Sequence, residues 1–90
     1  MVTAIVLISA ERDKIHSVAE ELADIKNVNE VYSVAGQYDL AAIIRAKNNE
    51  RLASIVTDHM LKVEGIVKSE TLFAFRVYSK HNLDNMFDLD

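Results

Sequence analysis

The stretch VNEVYSVAGQYDLAAIIRA, residues 28–46, decides the fold because it predicts a pair of strands at the centre of the chain. Residues 28–35 and 39–46 are mostly apolar and short, which is typical of strands. Gly36 and Gln37 lie between them and predict a tight hairpin turn. One helix-forming segment precedes this pair and another follows it.

The two flanking segments have similar organisation. Residues 2–9 predict a first strand, and residues 66–78 predict a long final strand. Between strands, apolar side chains recur every three or four residues, which indicates two amphipathic helices. The apolar stripe of the first helix, over residues 11–26, contains Ile15, Val18, Ala19, Leu22 and Ile25. The stripe of the second contains Leu52, Ile55, Val56, His59 and Met60.

Residues at the expected helix ends support these boundaries. Ser9 or Asp13 can cap the start of the first helix, and Asn48 or Asn49 opens the second. Gly65 follows the second helix and suits the left-handed turn that ends many helices.

The predicted order is βαββαβ, so the expected fold is an α+β, ferredoxin-like sandwich. Right-handed crossovers place both helices on the same face of a four-stranded antiparallel sheet. Ninety residues have room for one domain. We assign residues 1–80 to this domain and leave residues 81–90 as a tail without a predicted structure.

The predicted strands are apolar on both faces, which two helices on one face do not explain. In the first strand, Ile5 and Leu7 point away from Ala4 and Val6. An exposed apolar face of this size favours a second copy packed sheet to sheet with two-fold symmetry. The alternative is that the tail covers the face with its apolar residues, which are Leu83, Met86, Phe87 and Leu89.

Composition excludes several classes of function. A net charge of −4 and a pI near 5.3 argue against a direct nucleic-acid surface, which is normally basic. The chain has no cysteine for disulfides, thiol catalysis or thiolate metal sites. The longest apolar run, residues 4–8, is far shorter than the ~20 residues that a membrane helix needs. With no signal peptide predicted, we expect a cytoplasmic protein.

The titratable residues predict neither a metal site nor a catalytic site. His16, His59 and His81 are far apart in the predicted fold and lack partners at metal-ligand spacing. His59 is expected to be a partly buried packing residue, and Glu20 and Glu21 to be surface charges. No nucleophile has an adjacent base, and no glycine-rich loop is available for a phosphate or another cofactor.

Two segments are better candidates for binding a ligand. In the turn around Gly36, the backbone can approach a ligand closely, and Asp39 can accept either from an ammonium group or from amides of the turn. In the final strand, Ser69 and Thr71 place two hydroxyls on one face among apolar neighbours. Those hydroxyls need partners, either in a neighbouring subunit or in a small polar ligand.

Together, VAGQYDL (residues 34–40) and GIVKSET (residues 65–71) resemble two motifs of the Lrp/AsnC transcription factors. They are similar to the V-x-G-x-Y-D and G-V-x-x-T-x-T patterns of the effector-binding domain of that family, also called the RAM domain. The resemblance extends from the first strand to the last. Ser69 replaces the usual first threonine and keeps the hydroxyl.

The resemblance implies an assembly that binds an amino acid. In that family the sheets of two chains pack into a dimeric α+β barrel, and dimers form rings, often octamers or decamers. Effectors bind between dimers, which implies Gly36, Tyr38 and Asp39 from one dimer and Ser69 and Thr71 from another. No helix-turn-helix segment precedes the first strand, so the chain is expected to be a stand-alone RAM protein that can co-assemble with full-length Lrp/AsnC regulators.

Two alternative functions remain open. One is a small enzyme on a dimeric α+β barrel, such as a cofactor-free monooxygenase or an isomerase, with His59 as its only plausible inward residue. The other is an assembly without a ligand. The residues alone do not identify the effector, because the groups named would bind the amino and carboxylate groups that all amino acids share.

Overall fold

A computed structural model describes residues 1–78 and residue 80, and it has the predicted element order. The strands are β1 (Val2–Ala10), β2 (Val28–Ser33), β3 (Leu40–Ala46) and β4 (Ile66–Ala74). Helix α1 (Ile15–Ala23) follows a 3-10 turn, Arg12–Lys14, and α2 (Asn49–Ser54) continues into a π-helical turn, Ile55–His59, and a 3-10 turn, Met60–Lys62. The sheet is antiparallel in the order β2-β3-β1-β4, so the fold is the expected α+β, ferredoxin-like arrangement.

The hydrophobic core lies between one face of the sheet and the helices. Alternate residues of the central strands β1 and β3 point into it, as the period of two in a strand requires. Helix α1 contributes Val18 and Leu22, and its remaining stripe residues pack at the margin, so the predicted stripe is confirmed. The largest fully buried side chains are Ile8, Leu22, Leu40, Ile44, Leu52, Ile55, Met60, Val6 and Val18.

The opposite face of the sheet, which we call the open face, also carries apolar side chains. In register, Ile5 of β1 is paired with Ile43 on one side and Leu72 on the other. Leu7 and Ala41 are the next pair along. No helix or strand among residues 1–78 covers this face, which confirms the prediction that both faces of the central strands are apolar.

Strand β4 changes its alternation near its start. Ser9 is paired with Lys68 but Ala10 with Ile66, so Val67 is an extra residue in β4. This bulge lets Ile66 pack against the core, whereas Val67 is 67% exposed. From Lys68 onward the strand alternates regularly.

Several predicted boundaries were wrong for identifiable reasons. The predicted two-residue turn is instead a loop over residues 34–39. The loop is longer because Asp39 forms a hydrogen bond with β1, so β3 begins only after this residue. Strand β4 ends at Ala74, which pairs with Thr3 close to the start of β1. Neither Ser9 nor Asp13 caps α1, since the helix follows a 3-10 turn without a side-chain cap.

The second helix also departs from the predicted spacing. The π-helical turn takes one residue more than an α-helical turn, so the buried position after Ile55 is Met60, five residues later. His59 is consequently exposed, and the prediction that it is a partly buried packing residue was wrong. The predicted start of this helix is confirmed, because the Asn48 side chain accepts from the Arg51 N–H at 2.8 Å.

The loops next to α1 contain two residues with positive φ. Gly65 has φ +106°, as expected for its turn, and its carbonyl accepts from the Glu11 N–H at 2.8 Å. Asn27 has φ +79°, and its side-chain amide donates to the Arg45 carbonyl at 3.1 Å. The predictions for residues 81–90, including His81 and the covering role of the tail, lie outside the described residues.

Candidate functional site

The loop over residues 34–39 is the first part of the candidate site. Its ends are joined by a hydrogen bond from the Val34 N–H to the Asp39 carbonyl, at 2.9 Å. Gly36 has φ +128°, a conformation that other residues rarely adopt. No atom lies within 4 Å of the position that a Cβ would take there. The space beside the Gly36 backbone is therefore open to a ligand or to a neighbouring chain.

Asp39 fastens this loop to the end of β1. Its backbone N–H donates to the Ile8 carbonyl at 2.9 Å, and its carboxylate Oδ2 accepts from the Ala10 N–H at 3.0 Å. One carboxylate oxygen thus has a backbone donor. Of the two roles predicted for Asp39, acceptance from a backbone amide is the one observed, although the amide belongs to β1 rather than to the turn itself.

Tyr38 reaches across to β4 on the open face. Its hydroxyl donates to Glu70 Oε1 at 2.7 Å, and the Nζ of Lys68 lies 5.5 Å from the centre of its ring. The second distance is within the range of a cation–π interaction. The hydrogen bond to Glu70 raises the pKa of Tyr38 above its ordinary value, and burial and the Glu70 charge act in the same direction.

Ser69 and Thr71 lie on the other face of β4. They are paired with Ile8 and Val6, whose side chains point toward the helices, so the two hydroxyls share one face as predicted. Thr71 is exposed and lines a mainly apolar groove of about 230 Å³ between β4 and α2. The other residues that line this groove are Leu52, Ala53, Val56, Thr57 and Phe73.

Within one chain, the predicted site residues do not form a single cluster. Tyr38 contacts β4 on the open face, whereas Ser69 and Thr71 face the helix side of the same strand.

Sequence reasoning did not assign roles to Lys68 and Glu70, although both contact Tyr38. The signal was present in the alternation of residues 68–71. If Ser69 and Thr71 share one face, Lys68 and Glu70 must share the other. What the sequence does not show is that the loop carries Tyr38 onto that second face.

Within residues 1–78 and at residue 80, no group of three or more His, Cys, Asp or Glu side chains is placed to bind a metal ion. His16 lies 3.4 Å from Glu20 on the exposed side of α1, and Glu21 is also exposed, as predicted for this charged surface. No helix in the described part of the chain is long and apolar enough to cross a membrane.

Comparison with known protein families identifies the family of this chain. The sequence profile of the Lrp/AsnC ligand binding domain matches residues 3–84. The chain belongs to the Lrp/AsnC ligand-binding domain family. The resemblance inferred from the two motifs is therefore confirmed.

Other proteins resemble the chain in sequence and in fold. An uncharacterised HTH-type transcriptional regulator from Pyrococcus horikoshii is 37% identical over 76 residues, which cover 81% of this chain and 51% of the regulator. The chain spans about half the length of the curated relatives it matches. The crystal structure of TTHA0845 from Thermus thermophilus is 44% identical, with a TM-score of 0.82, and the alignment covers 89% of this chain and 100% of that chain.

A more distant structure shares only the fold. The transcriptional regulator NMB0573 from Neisseria meningitidis, solved as an L-Met complex, is 15% identical with a TM-score of 0.78. The alignment covers 87% of this chain and 52% of that one. The ferredoxin-like arrangement of this Lrp/AsnC domain thus persists at low sequence identity.

Proposed function

We propose that this chain binds an amino-acid effector and self-associates, and that it regulates transcription or amino-acid metabolism without catalysing a reaction. The observation that carries the proposal is the open face, where Ile5, Leu7 and Ile43 are apolar and no described element covers them. Membership of a ligand-binding domain family supports the effector role.

The first step of the proposed assembly is a dimer that packs open face against open face. Leu72 is 40% exposed beside Ile5, and Tyr32 is 49% exposed beside Ala41. Burying apolar surface stabilises an interface by roughly 25 cal/mol for each Å² removed from water. A two-fold arrangement would cover these side chains with identical ones and form the dimeric α+β barrel.

The effector site is proposed to form between dimers. One dimer would supply Gly36, Tyr38 and Asp39, and its neighbour would supply Ser69 and Thr71. This division between chains fits the observation that the two groups lie on opposite faces of β4 in one chain. The L-Met complex of the Neisseria regulator supports an amino acid as the effector class.

Ligand binding and assembly would then be linked. An amino acid that bridges two dimers binds the ring more tightly than it binds a free dimer. It therefore shifts the population toward octamers or decamers by the difference in affinity. Self-association becomes the signal that the module transmits.

The proposed partners are other copies of this chain and full-length Lrp/AsnC regulators. Relatives named as HTH-type regulators contain a matching domain in about half of their length, so a mixed assembly would pair domains of related sequence. Such a partner would provide the contact with DNA, and both proteins would act in the cytoplasm. The acidic net charge of −4 supports a role without direct DNA binding.

The competing proposal, a small monooxygenase or isomerase on the same barrel, depended on an inward-pointing His59. His59 is exposed, and the π-helical turn directs it away from the core. That side chain therefore gives no support to an enzymatic function.

Calorimetry and light scattering together test the proposal. The chain is titrated with each of the twenty amino acids, L-methionine included, at fixed ionic strength. We expect at least one of them to bind and to increase the average mass of the assembly. If none binds at millimolar concentration and none changes the mass, the sensing role is wrong.

Two substitutions locate the site in the same assay. Thr71→Val removes the hydroxyl and keeps the shape, and we expect about tenfold weaker binding, as for one lost hydrogen bond to a charged ligand. The matched control is Ser17→Ala, which removes an exposed hydroxyl on α1, outside the loop at residues 34–39 and outside β4. Asp39→Asn keeps an oxygen for the Ala10 N–H, so unchanged affinity in this variant would assign Asp39 a purely structural role.

A further inference from the structure

A second groove lies away from the proposed effector site, between the end of α1 and one side of α2. It has a volume of about 310 Å³ and is lined by Ile25, Lys26, Arg51 and His59. This volume is at the lower end of the range for small-molecule sites, roughly 300–1,000 Å³. We call it the basic groove, because three of its four lining residues can carry a positive charge.

These three basic side chains have no acidic partner among the described residues. The ion pairs of the described chain are Lys14 with Glu11 and Glu64, and His16 with Glu20. Lys26, Arg51 and His59 take part in none of them. The groove has no acidic side chain in its lining, although the chain as a whole has a net charge of −4.

The π-helical turn completes this groove. With α-helical spacing, His59 belongs to the apolar stripe with Leu52 and Ile55, as the sequence predicts. The π turn instead exposes His59, and His59 then lines the groove together with Arg51. Turns of this kind occur frequently at functional sites. The π-helical turn thus places His59 in the lining of the basic groove, a position that packing of the core does not require.

We propose that the basic groove binds the phosphate group of a small phosphorylated metabolite. Arg51 can donate two parallel N–H bonds to phosphate oxygens, and Lys26 and His59 can add charge and further donors. Ile25, which is half-buried, offers an apolar wall to the organic part of the ligand. An amino acid fits less well, because Lys26 and Arg51 repel its ammonium group and its carboxylate carries only one negative charge.

This site is independent of the proposed amino-acid site. Its residues come from the α1–β2 connection and from α2 with its π-helical turn, whereas the effector residues lie in the loop at residues 34–39 and in β4. The module would therefore respond to two chemical classes of ligand.

The test is a titration followed by two-dimensional NMR, with inorganic phosphate, phenyl phosphate and acetate at constant ionic strength. We expect phosphate to shift the signals of Lys26, Arg51 and His59, and phenyl phosphate to bind more tightly because its ring contacts Ile25. Acetate is expected to bind at least tenfold more weakly than phosphate. Equal affinity for acetate and phosphate would overturn the phosphate assignment, and equal affinity for the two phosphates would exclude an organic ligand.

Charge-removing variants locate the binding. Arg51→Gln and His59→Gln are each expected to weaken phenyl phosphate binding by about tenfold, the effect of one lost hydrogen bond to a charged group. The matched control is Lys62→Gln, because Lys62 is exposed in the 3-10 turn that follows the π-helical turn but does not line the groove. Circular dichroism verifies that each variant is folded. Binding that survives both groove variants, or that Lys62→Gln weakens equally, would show that the groove is not the site.

Discussion

Gly65 and Gly36 both have a positive φ, yet their surroundings differ. A Cβ at Gly65 would lie 2.9 Å from Val18 Cγ2 and 3.1 Å from the Lys14 Cβ. A Cβ at Gly36 would have no atom within 4 Å. The first glycine is required by packing and by backbone conformation, and the second by backbone conformation alone.

Because of this difference, we expect the same substitution to lower the free energy of unfolding by different amounts at the two glycines. Gly65→Ala adds a clash with the core helix to the backbone strain, so we expect it to destabilise the fold by about 2–5 kcal/mol. Gly36→Ala, with strain alone, should cost about 1–2 kcal/mol. Urea unfolding at one fixed protomer concentration measures both. Equal costs would mean that the contact with Val18 relaxes without penalty.

Tyr38 gives a prediction about pH. Because its hydrogen bond to Glu70 raises its pKa in the folded state, that bond persists below the ordinary tyrosine pKa of about 10. Any stability that this hydrogen bond adds to the fold is lost as the pH rises through the raised pKa of Tyr38. In a Tyr32→Phe, Tyr78→Phe background, an absorbance titration reports on Tyr38 alone.

In that background, Glu70→Gln should lower the pKa of Tyr38 toward its ordinary value. The matched control is Glu30→Gln, which removes another exposed carboxylate, one whose tyrosine partner in the unsubstituted chain is Tyr32 and not Tyr38. A Tyr38 titration that is the same in both variants would show that Glu70 is not the cause of the shift.

At the scale of elements, Asn48 shows which boundary could be predicted and why. Its side chain satisfies the Arg51 N–H at the start of α2, a local interaction that residue type and position reveal. The 3-10 turn before α1 and the π turn after Ser54 depend on how the helices pack on the sheet. Local sequence carries no comparable signal for either, so neither was predicted.

The contribution of the Asn48 cap to stability can be compared with that of Asn49, the next residue in the sequence. Asn48→Ala removes the acceptor of the Arg51 N–H and should destabilise the fold by about 1 kcal/mol. Asn48→Asp keeps an acceptor and should retain most of that stability. Asn49→Ala, at the first helical position, is the control and should change the unfolding free energy by less than about 0.5 kcal/mol.

The candidate site could be predicted only in part. The loop at Gly36 and the shared face of Ser69 and Thr71 follow from glycine and from strand alternation, which are local rules. The contact of Tyr38 with Glu70 joins residues 32 positions apart and depends on the path of the loop over β1. Distant pairings of this kind are set by the tertiary fold.

At the scale of the whole molecule, the open face determines whether the protomer is a complete unit. Ile5 lies at its centre, between Ile43 and Leu72. Ile5→Asp would place a charge where a sheet-to-sheet interface buries apolar side chains, a change that is costly without a partner for the charge. We expect this variant to remain folded and to lose self-association.

Light scattering against concentration measures that loss. The control is Leu61→Asp, because Leu61 is 48% exposed but lies in the 3-10 turn after α2, in the helix layer and not on the open face. An Ile5→Asp variant that associates as strongly as the original chain would place the interface elsewhere on the molecule.

The strict alternation of β4 beyond the bulge at Val67 limits how this strand can change in length during evolution. One residue inserted or deleted between Lys68 and Thr71 reverses every later side chain unless a second bulge absorbs the change. Leu72 would move to the helix side, and Phe73 to the open face. Point substitutions in β4 alter one surface at a time, whereas a single-residue gap exchanges the two surfaces at once. Homologues that keep both surfaces and have no second bulge should therefore show no single-residue gaps in this segment.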